Sequence, residues 1–93
     1  MIRGFADRDT ARLFDRAAVR RLPAALQRTM LRKLVALDAA ETLDDLRVPP
    51  GNRLEKLTGD RAGQYSIRVN DQWRVCFRWQ DGDAYDVELV DYH

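Results

Sequence analysis

The sequence predicts an α+β fold. Two N-terminal helices pack on one face of a mostly antiparallel sheet, in the order β-α-α-β-β-β-β. Three observations lead there. Leu26, Met30, Leu34 and Leu37 recur at helical spacing. From residue 64 onward the apolar residues switch to strict alternation, the period of a strand. Asn70-Asp71-Gln72 and Asp81-Gly82 then divide the alternating stretch with hairpin-turn chemistry. A run of helices followed by a run of strands is the pattern of an α+β domain.

Each element has its own local reason. Ile2-Arg3-Gly4-Phe5 reads as a short first strand. Asp7 or Asp9 is a suitable N-cap for a first helix through about Ala18, with Leu13, Phe14 and Ala17 on its buried side. Pro23 fits the first position of a second helix, where its missing N–H costs nothing. The apolar stripe of that helix leaves Arg28, Arg32 and Lys33 outside, and it is expected to face the core. Thr42 to Leu46 can form one helical turn, and Pro49-Pro50-Gly51-Asn52 breaks the chain. Arg53 to Leu57 is a short strand, and Gly59 to Gly63 a loop. Gln64 to Val69 places Tyr65, Ile67 and Val69 on one face. Trp73 to Trp79 places Trp73, Val75, Phe77 and Trp79 there too. Tyr85, Val87 and Leu89 are expected to complete that face.

Composition bounds the function. With 93 residues the chain makes one domain, residues 1–93, in which 45% hydrophobic and 33% charged residues are globular proportions. One cysteine excludes an internal disulfide and fits a reducing cytosol. The start of the chain does not read as a signal peptide, and no apolar run approaches the roughly 20 residues of a membrane span. A cytoplasmic location with no membrane partner is the expectation. The net charge of +1 conceals strong patterning: two lysines stand beside fourteen arginines. Residues 1–33 hold eight of those arginines, and residues 61–78 carry Arg61, Arg68, Arg74 and Arg78 against Asp71 alone. Arginine forks suit bidentate phosphate contacts, and a solvated arginine-rich surface gives the same counts.

Strand parity narrows the chemistry. If the apolar faces meet the helices, Gln64, Ser66, Arg68, Arg74, Cys76 and Arg78 point the other way. Arg68 and Arg74 flank one tight hairpin and repel each other there. Either an anion sits between them, or they splay into water or pair with Asp86 and Glu88. One histidine and one cysteine, far apart, do not supply the ligands zinc prefers. No glycine pattern matches a nucleotide fingerprint, and Ser66 lacks a nucleophile-elbow context. Acid–base and cationic chemistry on phosphate, without a metal or cofactor, is what these residues allow. His93 is the only histidine. It is either a solvated tail residue or, held by the last strand beside its own α-carboxylate, an imidazolium able to act as a general acid.

Several segments together resemble a known family: Pro50-Gly51-Asn52-Arg53-Leu54-Glu55, Gly59-Asp60-Arg61-Ala62-Gly63-Gln64, Ser66-Ile67-Arg68-Val69-Asn70-Asp71-Gln72-Trp73-Arg74, Cys76-Phe77 and Val87-Glu88-Leu89-Val90-Asp91-Tyr92-His93. They resemble the HigB toxins of the RelE/ParE superfamily, which include plasmid-maintenance killer proteins. The resemblance spans the chain in length and element order, with its specific motifs in residues 50–93. It implies a RelE-like fold and a toxin neutralised by a helix-turn-helix antitoxin of the HigA type. It implies metal-free, ribosome-dependent cleavage of mRNA in which the 2′-OH attacks the adjacent phosphate, leaving a 2′,3′-cyclic phosphate and a 5′-OH. Operator DNA would be reached only through the antitoxin.

Carried over by position, the resemblance makes Arg74 the phosphate clamp and His93 the group that protonates the leaving 5′-oxygen. It makes Tyr92 an aromatic that stacks or hydrogen-bonds at the site, Asp91 a residue that orients the tail, and Arg68 a basic residue of the active face. Arg61, Arg78, Gln72, Asn70 and Glu55 are the candidate substrate contacts. Some members carry a His and a Lys before the Gly-Asp loop, where this chain has Glu55 and Thr58; Glu55 can replace the histidine as general base. Two other functions remain open within the superfamily: a toxin that inhibits a protein target such as gyrase or a ribosome-assembly factor, and an inactive co-repressor partner of an antitoxin.

Overall fold

The computed structural model describes residues 1–92. Two helices, α1 (Arg8–Phe14) and α2 (Ala24–Ala39), precede four strands, β1 (Glu55–Lys56), β2 (Tyr65–Arg68), β3 (Trp73–Gln80) and β4 (Asp83–Asp91). The strands form an antiparallel sheet in the order β1-β2-β3-β4. The expected first strand is reduced to two bridges, Ile2 to Ala84 and Phe5 to Val87, both parallel to β4. Arg3 N donates to Ala84 O at 2.8 Å and Ala6 N to Val87 O at 2.9 Å, so the N-terminal segment covers the open edge of β4.

The helices and the inner face of the sheet share one core. Met30, Leu34 and Leu37 of α2 are completely buried against Ile67, Val75, Phe77 and Val87. This is the use expected of the α2 stripe. Pro23 proves to be the N-cap of α2 rather than its first residue, with ψ at 122°.

Helix α1 stops four residues before the expected Ala18. Asp7 caps it by accepting from Thr10 N. At its other end Arg16 takes φ 67°, Arg16 N donates to Leu13 O and Ala17 N donates to Arg12 O. That pair of bonds is a Schellman termination, which usually recruits glycine. Here an arginine occupies the left-handed position, so the sequence carries no stop signal. The expected strand from Arg53 to Leu57 also shortens to two residues, because Arg53 is itself left-handed at φ 44°, ψ 60°.

The expectation that Tyr85 shares the core face with Val87 and Leu89 is overturned. Cys76 pairs with Glu88 and Arg78 with Tyr85, so the single residue Phe77 opposes both Asp86 and Val87. Asp86 absorbs this β-bulge at φ 52°. The extra residue reverses the parity on its N-terminal side. Ala84 is buried in place of Tyr85, which is left 37% exposed.

Candidate active site

The face of the sheet away from the helices is polar, and register decides what meets on it. Glu55 pairs with Ser66, Ser66 with Cys76, and Cys76 with Glu88. Directly opposed residues point to the same side, so these four side chains form one row across all four strands. The adjacent row contains Arg68, Arg74 and Val90.

Arg74 is the centre of this face. It is only 9% exposed, and a buried guanidinium must be hydrogen-bonded or paired. Its Nε donates to Ser66 Oγ at 2.7 Å, and its Nη2 donates to the Arg53 main-chain carbonyl at 2.7 Å. Glu55 Oε1 stands 3.8 Å from the same Nη2, on a side chain 57% exposed at the rim. Nε and Nη2 form one fork of the planar guanidinium. With that fork turned onto the protein, the end-on edge formed by Nη1 and Nη2 is the part available to an anion.

Tyr92 lies across the same face. Its ring centroid is 5.9 Å from Arg74 Cζ, within cation–π range. Its main-chain N donates to Gln72 O at 2.6 Å, which fixes Tyr92 beside the hairpin. Its hydroxyl accepts from Cys76 Sγ at 3.8 Å. Burial pushes the Cys76 thiol up, with the Tyr92 hydrogen bond opposing; burial also pushes the Tyr92 phenol up. Both groups are therefore neutral near pH 7, and the cationic character of the face comes from arginine. Arg61 completes it, donating from Nη1 to Glu88 Oε1 at 2.8 Å and to Gln64 Oε1 at 3.0 Å. The Glu88 carboxylate holds the Arg61 guanidinium above its ordinary range.

The structure thus gathers Arg74, Tyr92, Glu55 and Arg61. The other sequence candidates take separate places. Arg68 is directly opposite Arg74 but turns to an ion pair with Asp71. Arg78 reaches Asp86 Oδ2, at the bulge, at 3.4 Å. Asn70 Oδ1 accepts from Gln72 N and Trp73 N at 2.9 and 2.8 Å, which makes it a turn-forming residue. Gln72 Nε2 donates to Asp91 Oδ2 at 3.1 Å, and Asp91 pairs with Trp73, whose side chain belongs to the helix-facing core. Asp91 therefore springs from the opposite face to Arg74. His93 lies outside the described residues.

Three contributors were absent from the sequence candidates. Ser66 and Glu88 hold Arg74 and Arg61, and strand parity with register was the signal that could have found them. The Arg53 carbonyl had no sequence signal, because a main-chain oxygen aimed by a left-handed arginine leaves no residue-type trace. Chemically, the arrangement offers a fixed cation for an oxyanion, a carboxylate that can accept a proton beside it, and an aromatic face for a base.

Comparison with known proteins adds the context. Residues 3–93 match the family described as the RelE-like toxin of the type II toxin-antitoxin system HigB. The chain is 49% identical over 70 residues to Toxin HigB-1 of Vibrio cholerae, covering 75% of this chain and 74% of that one. It is 33% identical over 93 residues to the Endoribonuclease HigB of Proteus vulgaris, covering 100% of both chains. Among solved structures, the YoeB-YefM complex from Staphylococcus aureus has a chain that superposes with a TM-score of 0.61 at 15% identity, over 100% of this chain and 98% of that one. That likeness shows the fold, in agreement with the α+β, RelE-like expectation.

Proposed function

The chain belongs to the HigB-like family of RelE-like toxins of type II toxin-antitoxin systems, and on that premise we propose that it is an endoribonuclease that cuts mRNA on the ribosome. The observation that carries this reading is the seating of Arg74: a nearly buried guanidinium, gripped along one fork by Ser66 and Arg53, with Glu55 3.8 Å away and Tyr92 over it. The full-length relative named an endoribonuclease supports it.

The chemistry follows from these groups. The end-on edge of Arg74 binds a non-bridging oxygen of the scissile phosphate and stabilises the charge that grows there in the transition state. Glu55 takes the proton of the 2′-OH as that oxygen attacks phosphorus. The new O2′–P bond replaces the P–O5′ bond. A proton from His93 goes to the departing 5′-oxygen, the role the family resemblance assigns to it. The products are a 2′,3′-cyclic phosphate and a free 5′-OH. Tyr92 stacks on a neighbouring base, and Arg61, steadied by Glu88, faces the phosphates that follow. Arg68, Arg78, Asn70, Gln72 and Asp91 serve by shaping the hairpin and the tail around this centre. The ordered chemistry uses side chains alone.

A toxin of a type II system has an antitoxin. We take that partner to be a helix-turn-helix protein of the HigA type, through which operator DNA is reached. The exposed arginines Arg12, Arg28 and Arg32 of the helices, with Arg16 just past the end of α1, are the surface offered to it. Inducing the chain without its antitoxin and mapping the 5′ ends of cellular mRNA tests the function. New 5′-OH ends within coding regions are expected. Growth arrest with intact mRNA would favour a protein target instead, and no arrest at all would favour the co-repressor.

A further inference from the structure

The clamp arginine is aimed by a main-chain carbonyl whose direction depends on a left-handed residue. Arg53 adopts φ 44°, ψ 60°, a region costly for any residue with a Cβ. In that conformation its carbonyl reaches Arg74 Nη2 at 2.7 Å. The segment before it is anchored on the helix layer. Asn52 is 1% exposed, and its Nδ2 donates to the carbonyls of Leu46 and Val48 at 3.1 and 3.3 Å. Its Oδ1 accepts from Lys33 Nζ of α2 at 2.5 Å. Asn52 N and Arg53 N close the tight turn onto Pro49 O and Pro50 O at 2.9 and 3.1 Å. A continuous set of bonds therefore runs from α2 through Asn52 to the Arg53 carbonyl and the guanidinium.

We propose that Arg53 is a positioning residue that acts through its backbone conformation: held left-handed by the Lys33–Asn52 anchor, it fixes the Arg74 guanidinium with its end-on edge toward the scissile phosphate. This rests on the endoribonuclease reading of the site. Ser66 holds Nε alone, and one bond leaves the planar group free to pivot about it. The second bond, from the Arg53 carbonyl, removes that freedom. Preorganised donors act on a transition state only while they stay aimed.

The test separates backbone from side chain. Arg53→Asn and Arg53→Val remove the same charge, so any loss of electrostatic RNA binding is common to both and appears in KM. Asparagine tolerates the left-handed region, and valine does not. Single-turnover and steady-state cleavage on programmed ribosomes should give Arg53→Val a kcat about 10- to 100-fold below that of Arg53→Asn, the scale of a misplaced catalytic group, with similar KM. In parallel, hydrogen exchange of the Arg74 Nη2 protons, the ones donated to the Arg53 carbonyl, followed by NMR on the free protein, should be slow in wild type and Arg53→Asn and faster in Arg53→Val. Equal kcat in two folded variants would overturn the proposal. So would equal exchange. If the wild-type protein cuts no RNA, the endoribonuclease reading fails by itself, and the exchange comparison still decides whether Arg53 aims the guanidinium.

Discussion

Glu55 Oε1 and Arg74 Nη2 stand 3.8 Å apart, from neighbouring rows of the polar sheet face, with the arginine sunk and the carboxylate at the rim. The depth difference matters. In the proposed mechanism a substrate phosphate bound at the guanidinium lies beside the carboxylate, where a 2′-OH would be within its reach. A half-exposed ion pair at this distance contributes little to stability, so its removal is a clean probe of chemistry. Glu55→Gln should slow single-turnover cleavage by roughly 10²- to 10⁴-fold, the range for a lost base, with the unfolding midpoint nearly unchanged. Cleavage at the parental rate would remove Glu55 from the mechanism.

Thr10 should prove a stability residue. Fully buried, it donates from Oγ1 to Asp7 Oδ1 at 2.6 Å and accepts from Leu89 N at 3.1 Å, so it ties the cap of α1 to the ladder of β4. Thr10→Val keeps the shape and leaves the Leu89 N–H unpaired. Urea denaturation should show a loss of about 1–3 kcal/mol with an unchanged m value. A loss near zero would mean that this amide finds another acceptor.

Tyr92 should shield Cys76. The thiol is completely buried, its pKa is raised by that burial, and it donates to the tyrosine hydroxyl on the polar face. Alkylation by iodoacetamide needs an accessible thiolate. It should be slow in the wild-type protein and clearly faster in Tyr92→Ala. Equal rates would place the cover of Cys76 elsewhere.

Acid should weaken the N-terminal edge. Asp83 sits 3.1 Å from Arg3 Nε and 3.4 Å from the terminal ammonium, and the Arg3 hydrogen bond holds its carboxyl below the ordinary range. A depressed folded pKa contributes stability that is present above the unfolded value, about 3.9. That stability is lost as pH falls through the still lower folded value. Asp83→Asn should therefore lower the melting temperature at pH 7, and the two proteins should converge at the acid end. A difference that persists there would assign the effect to packing.

The readable and unreadable parts of this molecule divide along physical lines. Leu26, Met30, Leu34 and Leu37 displayed α2 because a buried stripe must repeat with the helix. The alternation through Ile67, Val75 and Phe77 displayed the central strands for the same reason, and it carried Arg74 to the polar face with them. What escaped were main-chain events at ordinary residues. Arg16, Arg53 and Asp86 all take positive φ, where glycine would have announced a stop, a turn or a bulge. Arg16 shortened α1, Asp86 exchanged Tyr85 for Ala84, and Arg53 supplied a carbonyl to the site. Ser66 and Glu88 were on the predicted polar face, but their partners depended on register that only the folded sheet supplies.

The seating of Arg74 is the centre of this account, and replacing it is the most direct measurement. Wild type and Arg74→Ala should be compared in single-turnover cleavage of mRNA on programmed ribosomes, with folding checked by circular dichroism. Loss of one aimed transition-state donor predicts a rate lower by roughly 10²- to 10³-fold, with 5′-OH ends on whatever product remains. A folded Arg74→Ala protein that cuts as fast as wild type would contradict the assignment of this face as the active site.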